Sequence, residues 1–528
     1  MNGLFRQSMT WLHTWSGIVV CWLLYFMFVT GTIGYFDDEL DLWMTPEQPA
    51  SQPLALSDAV PVAQQHLASA APGADRWFLY PTIKRTNPQL STFYDVPESE
   101  GTPAIRQSDD LDPRTGAVMV PPRDTGGGQL LYRMHYLLHY LPGRLGYYIM
   151  AVATMFMFVG LMTGVVAHKK IFKDFFTFRW ARGRRSWLDL HNLASVATLP
   201  FQFMITYSGL IFTLGLFWMP FIALGGYGFD TQKLAQVPAA FAGVEAPTRA
   251  GTSAELADLL PMAEAAQAQW GPNQIAFIRV DYPGDANAQV TLQRESTDRL
   301  GGSAWVFDGV SGERLHTSEG IDNAAIAVAG TFLALHEGLF ADTVLRWIYF
   351  LSGVLGTIMI GTGAVYWVEK RRPASAAEAT SRGYGLVARA NVATIAGLLV
   401  AVAAFLWANR LLPLDLASRA EWEVHCMFLC WLALFVHASL RPVARAWYEQ
   451  TLLVAGAFLA LPVVNALTTS AHLGTTLPAG NWVLAGVDLT CIALGLCAVV
   501  AARALRPPAL AAAPSASSAP GSVPQAGG

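Results

Sequence analysis

The chain has 528 residues, 53% hydrophobic and only 14% charged, where a soluble domain carries about 25% charge; an ordinary soluble protein is excluded. Thirty-four Lys and Arg against 38 Asp and Glu leave a net charge of -4, which offers no basic surface for nucleic acid and no polybasic tail for lipid headgroups. The five cysteines, Cys21, Cys426, Cys430, Cys491 and Cys497, all fall inside apolar runs without C-x-x-C spacing, so neither a disulfide framework nor a cysteine metal site is expected.

A hydrocarbon layer about 30 Å thick needs about 20 apolar residues per helix. In chain order eight stretches qualify as spans of a lipid bilayer: residues 11–36, 145–167, 189–219, 344–368, 387–408, 421–440, 451–467 and 482–503. The predicted organisation is a first transmembrane helix within 1–36, a polar insertion at 37–144 and spans two and three with a basic loop at 145–219. A second insertion at 220–343 follows, then span four at 344–368, a linker at 369–386, a four-helix bundle at 387–506 and an Ala/Pro/Ser/Gly tail at 507–528 that reads as disordered. Phe36-Asp37-Asp38-Glu39 follows the first run in place of a small-residue cleavage site, so an uncleaved anchor is expected.

Lys and Arg in the connections set the orientation. Lys169, Lys170, Lys173, Arg179, Arg182, Arg184 and Arg185 lie between spans two and three, and Lys370, Arg371, Arg372 and Arg382 follow span four. Arg441, Arg445, Arg503 and Arg506 agree with them. These segments and both termini are expected in the cytoplasm, with the two insertions in the periplasm beyond a bacterial inner membrane.

Each insertion carries a helical stretch, Leu56–Leu67 and Ser253–Leu260, then strand-like runs, then a turn signal, Asp112-Pro-Arg-Thr-Gly116 and Asp308-Gly-Val-Ser-Gly312. Glycine there supplies the positive φ of a tight hairpin. The expected fold is an all-α polytopic membrane protein of about eight transmembrane helices with two small α+β periplasmic modules.

The spans repeat too. Span one opens Trp11-Leu-His13 and span three Trp187-Leu-Asp-Leu-His191, while Met134-His135 precedes span two and Leu335-His336 precedes span four. Two copies of helix, module, helix imply a pseudo-two-fold axis along the membrane normal. His13 pairs with His191 on the cytoplasmic side and His135 with His336 on the periplasmic side, each layer supplying two imidazoles from different helices. That is the ligand set of one bis-His haem per layer, two b-type haems in all. His139 lies one turn from His135 and competes with it for the outer layer. It lies 29 residues from His168, about 43 Å along a helix, so those two cannot share one iron. His168 is read either as an interfacial residue beside Lys169 and Lys170 or as an inner-haem or propionate contact. Gly17 and Ser195, each four residues after an inner histidine, are expected to open room for a macrocycle. Arg133, Arg144 and Arg346 are candidate propionate partners, and snorkelling accounts for them equally well. His425 and His437, 12 residues apart on one span, read as structural.

The runs Arg133-Met-His-Tyr-Leu-Leu-His139, Gly164-Val-Val-Ala-His-Lys-Lys-Ile-Phe-Lys-Asp-Phe-Phe-Thr-Phe-Arg179, Trp187-Leu-Asp-Leu-His-Asn192, Met204-Ile-Thr-Tyr-Ser-Gly209 and Leu335-His-Glu-Gly-Leu-Phe-Ala-Asp342 resemble the PepSY-associated transmembrane helix family over about residues 1–375. The resemblance implies two periplasmic PepSY modules on a four-helix membrane core and a link to iron uptake. It includes inner-membrane reductases that bind two haems and reduce ferric siderophores, and it points to His13, His135, His191 and His336 as ligands. Gln202 departs from the family, which often has histidine there. The expected function is therefore an oxidoreductase that takes electrons from a cytoplasmic or quinol donor and reduces a ferric siderophore or ferric chelate in the periplasm. A siderophore or peptide permease is the rival, disfavoured because the spans carry almost no charges; a non-catalytic sensory or assembly protein is the third reading.

Overall fold

The computed structural model describes residues 3–48, 54–81, 89–96, 105–142, 144–168, 175, 179, 183–227, 247–295, 303–318, 324–372 and 382–507. Lys169, Lys170, Lys173 and Arg182 of the basic loop, most of the linker and the tail from residue 508 fall outside them. The chain divides into two units at Lys370/Arg371.

In the first unit, α1 (Gly3–Ile33) runs through a 3-10 turn (Gly34–Phe36) into α2 (Asp37–Met44), and the first insertion supplies α3 (Leu56–Ala70), β1 (Arg76–Tyr80), β2 (Leu90–Val96), β3 (Ile105–Leu111) and α4 (Gly127–Met134). The second span is α5 (Leu145–Ala167), and the third is a broken one, α6 (Arg184–Ala197) and α7 (Leu199–Tyr227), bent by 69°. Pro200 explains the break, because it has no N–H to donate and its ring crowds the carbonyl four residues back. The span expected over 189–219 is therefore a broken one. The second insertion gives α8 (Leu259–Trp270), β4 (Ile275–Asp281), β5 (Gln289–Arg294), β6 (Ala304–Asp308), β7 (Arg314–Ser318) and α9 (Ala324–Glu337), and α10 (Thr343–Lys370) closes the unit. Among the described residues seven helices are long and apolar enough to cross a membrane, or eight with the bent pair taken as one. Helix α1 packs on α5 and α10, α10 on α6, and α7 on α5 and α9.

The two insertions are joined through one sheet. Their strands make one seven-stranded antiparallel sheet in the order β3-β2-β1-β4-β5-β6-β7, joined where β1 pairs β4 with Arg76 opposite Asp281 and Leu79 opposite Ile278. Each of these strands would otherwise be an edge with unpaired backbone, and pairing them removes both edges. One face of the sheet is covered by α3 and α8, whose Leu56, Val60, Ala63 and Leu67 and whose Leu259, Met262, Ala266 and Trp270 meet Trp77, Leu79, Val280, Val290 and Leu292 in one core. The second helix starts at Leu259 rather than Ser253 because Asp258 caps it, accepting from the Leu260 N–H at 3.0 Å. Both turn signals fold as expected: Asp112 accepts from the Arg114 N–H and Asp308 from the Ser311 N–H, and Gly116 and Gly312 have φ of 70° and 74°.

The second unit consists of α11 (Arg382–Leu411), α12 (Arg419–Leu440), α13 (Val443–Thr468), a short α14 (Leu473–Thr476) and α15 (Trp482–Ala504). Here charged side chains are buried at one end of the spans. The fully buried Arg419 and Glu423 pair at 2.5 Å, and the Asn409 amide donates to Glu423 at 2.9 Å. Arg410 donates to Asn465 at 2.8 Å, and Asn465 donates to Asp488 at 3.0 Å. Each of the four long helices contributes at least one member, so the network ties one end of the bundle together. At its other end His437 bonds Glu449 at 3.0 Å.

Candidate functional site

Two pairs of imidazoles lie at opposite ends of α1. His13 on α1 and His191 on α6 have ring centres 6.3 Å apart, with planes at 61°. The His13 Nδ1 is 2.8 Å from the Gly160 carbonyl of α5, and the His191 Nδ1 is 2.8 Å from the Met359 carbonyl of α10. A carbonyl only accepts, so each Nδ1 carries the proton and each Nε2 presents a lone pair. The rings lie against glycines: a Cβ on Gly164 or on Gly363 would come within 3.1 Å of the Cε1 of His13 or His191. In both cases the accepting carbonyl is four residues before the glycine, where a missing side chain leaves it accessible to a second donor.

The second pair sits at the sheet-bearing end. His135 caps the C-terminus of α4 and His336 lies in the last turn of α9, their ring centres again 6.3 Å apart and their planes at 21°. The His336 Nδ1 is 2.8 Å from Ser208 Oγ, whose own proton goes to the Met204 carbonyl at 2.6 Å. His135 Nδ1 bonds the carbonyl of Tyr132, in its own helix. Gly31 lies under His135 and Gly209 under His336, at 3.4 and 3.3 Å from the nearest ring carbons to a Cβ placed there. Burial pushes the two imidazoles down, His135 to about 4 and His336 to about 3, so both are neutral at pH 7, the form that binds metal.

These spacings have a direct chemical meaning. An imidazole nitrogen sits about 2.0 Å from a bound first-row metal, and with about 1.1 Å more to each ring centre two ligands on opposite sides of one ion have centres about 6.2 Å apart. Both pairs fit that requirement. Among the described residues no three His, Cys, Asp or Glu side chains converge as ligands, so a metal between either pair must bring its equatorial ligands with it, as a planar macrocycle does. Beside the second pair lies a cavity of about 330 Å³, bounded by His135 and His336, by Gly31 and Gly209, and mainly by apolar side chains such as Met27, Phe28, Met150, Phe201 and Phe212. That size and character suit a flat, largely apolar cofactor.

The pairing His13 with His191 and His135 with His336 is the one the repeat predicts. His139, the competitor, sets its ring edge-on to Tyr140, with centres 4.9 Å apart and planes at 82°. His168 bonds the amide of Asn192, the neighbour of His191, at 2.8 Å. Of the three arginines, Arg346 is paired with Glu39 at 2.6 Å, while Arg133 and Arg144 are exposed. Gly17 faces open space, the room expected beside it, and Ser195 bonds back to the His191 carbonyl; neither backs a ring. The glycines that do were missed, although a signal existed: 18 residues separate His13 from Gly31 and His191 from Gly209. Gln202, where the family often has histidine, is fully buried between the pairs. Its amide donates to the Ser352 carbonyl at 3.1 Å.

No curated protein matches the chain. The family model described as PepSY-associated TM region matches residues 10–370, a stretch that takes in both histidine pairs and the whole sheet, and the chain belongs to that family.

Proposed function

We propose that this is a bacterial inner-membrane oxidoreductase that carries electrons across the bilayer on two b-type haems and reduces a ferric siderophore or ferric chelate in the periplasm for iron uptake. The observation that carries the reading is the recurrence of one imidazole spacing, 6.3 Å, at opposite ends of α1. Bound haem would supply one-electron transfer at each pair. The chain's own residues do the remaining work. The Gly160 and Met359 carbonyls engage the Nδ1 atoms of His13 and His191 and leave both Nε2 atoms for a ligand, and the Tyr132 carbonyl and Ser208 do the same for His135 and His336 at the other end. Apolar walls around the second pair exclude water. The basic loop, taken as cytoplasmic, is suited to an acidic electron donor, and the two halves of the sheet are read as PepSY-like modules that receive the chelate.

The rival is a siderophore or peptide permease, favoured by the buried charges of the second unit and by the bend at Pro200. A non-catalytic sensory or assembly role is the third reading. Optical spectra of the purified protein separate them: the proposal expects two low-spin b-type haems per chain, and a colourless, folded protein removes it. In sealed proteoliposomes, dithionite-reduced protein should then be reoxidised by a ferric hydroxamate added on the sheet side, with a ferrous trap developing colour there; reoxidation only from the opposite side reverses the proposed direction.

A further inference from the structure

The repeat places a hydroxyl residue immediately before the glycine under each ring of the second pair, Thr30 before Gly31 and Ser208 before Gly209. Both are fully buried. Both donate to the carbonyl four residues back, Thr30 to Phe26 at 2.8 Å and Ser208 to Met204 at 2.6 Å, so each oxygen keeps lone pairs with which to accept. Only Ser208 uses one on an imidazole, at 2.8 Å from the His336 Nδ1; His135 turns its Nδ1 to Tyr132 instead. The Ile205 carbonyl, four residues before Gly209, also interacts with the same ring.

We propose that Ser208 is a positioning residue which holds His336 in the Nδ1–H form, aims its Nε2 at His135, and sets the redox potential of the haem held by that pair. The inference rests on the two-haem reading. An imidazole whose N–H is accepted by a partner is a more basic ligand through its other nitrogen. A more basic axial ligand favours ferric over ferrous iron, so losing the acceptor raises the potential. The effect is local, because no first-pair histidine touches Ser208 and both rings there bond carbonyls.

The test is an optical redox titration of the full-length, haem-loaded protein in detergent, with Ser208→Ala, Ser208→Thr and Ser208→Cys each made alone and in a His13→Ala background that retains the second-pair haem only. Ser208→Ala should shift that haem's midpoint upward and leave the other in place, while Ser208→Thr, which keeps the hydroxyl, should titrate as wild type. Should Ser208→Ala fail to retain haem, Ser208→Cys, a poor acceptor of similar size, must show the upward shift. Unshifted midpoints in the haem-loaded Ala or Cys variants, or equal shifts at both haems, overturn the role of Ser208. Folded wild-type protein without haem instead overturns the reading beneath it.

Discussion

The two units handle polar groups in apolar surroundings in opposite ways. In the second, Arg410, Arg419, Glu423, Asn409, Asn465 and Asp488 close on one another, so that each charge meets a complementary group from the bundle itself. In the first, four imidazoles each spend Nδ1 on a protein partner, and among the described residues no Nε2 of these rings has one. A network in which each charge meets a partner is what a structural tie needs, whereas a pair of imidazoles at ligand spacing with both Nε2 atoms unused is a site that something else completes. The presence of buried polarity is therefore a poor guide to function in a membrane protein; whether the polarity is closed is a better one.

The sharpest way to break this contrast is at a histidine. His191→Ala and His336→Ala should each remove one of two haems entirely, about half of the Soret absorbance, with helix content unchanged. Loss of both from either variant would mean the two pairs are not independent sites. Next in size is Arg419→Ala, which leaves Glu423 buried without its charge partner and should cost about 3–5 kcal/mol. Haem content per folded chain should stay at two, and the pair of changes Arg419→Met with Glu423→Leu should recover part of the stability. A stable but haem-free Arg419→Ala protein would move the second unit into the redox machinery.

The glycines give a smaller and more local effect. Gly164→Ala or Gly363→Ala places a methyl 3.1 Å from a ring carbon, and an overpacked contact of this kind costs about 1–3 kcal/mol. Retention of the first-pair haem should weaken by about 5- to 150-fold, measured by transfer to apomyoglobin, whereas Gly17→Ala, which meets nothing within 4 Å, should behave as wild type. Equal effects at all three positions would mean that helix propensity, not ring packing, is being read.

The sequence made the spans, the repeat and the histidine pairs legible because each depends on a pattern local to one segment: apolar length, or an equivalent histidine in each copy. Joining of the two sheets was not legible, since β1 and β4 lie about 200 residues apart and nothing in either strand names its partner. The bend at Pro200 was written in the sequence and overlooked in favour of the apolar run. Gly164 and Gly363 could not be told from the other glycines until the rings that cover them were placed. The charges Arg410, Arg419 and Asp488 fall at the ends of apolar runs, where snorkelling is the ordinary expectation; only the packing of four helices shows them turned inward.

The smallest effect tests the same ion chemistry in the opposite setting. On the sheet, Arg106 forks onto Asp95 through two bonds of 2.8 and 3.0 Å, a geometry as good as that of Arg419 on Glu423. Its side chain is 56% exposed, however, where that of Arg419 is 0% exposed. The Arg106 hydrogen bonds hold the Asp95 carboxyl below its usual range, so the pair's contribution is complete above about pH 4, the unfolded carboxylate value. It is lost as pH falls through the lower folded value. Solvent screening limits it to about 1 kcal/mol or less. Arg106→Ala should therefore lower the sheet's thermal midpoint slightly at pH 7, less at high salt, and not at all once the acid has protonated Asp95 in both proteins. A loss rivalling that of Arg419→Ala would show that burial is not what separates the two pairs, and the contrast between closed polarity in lipid and screened polarity in water would fail with it.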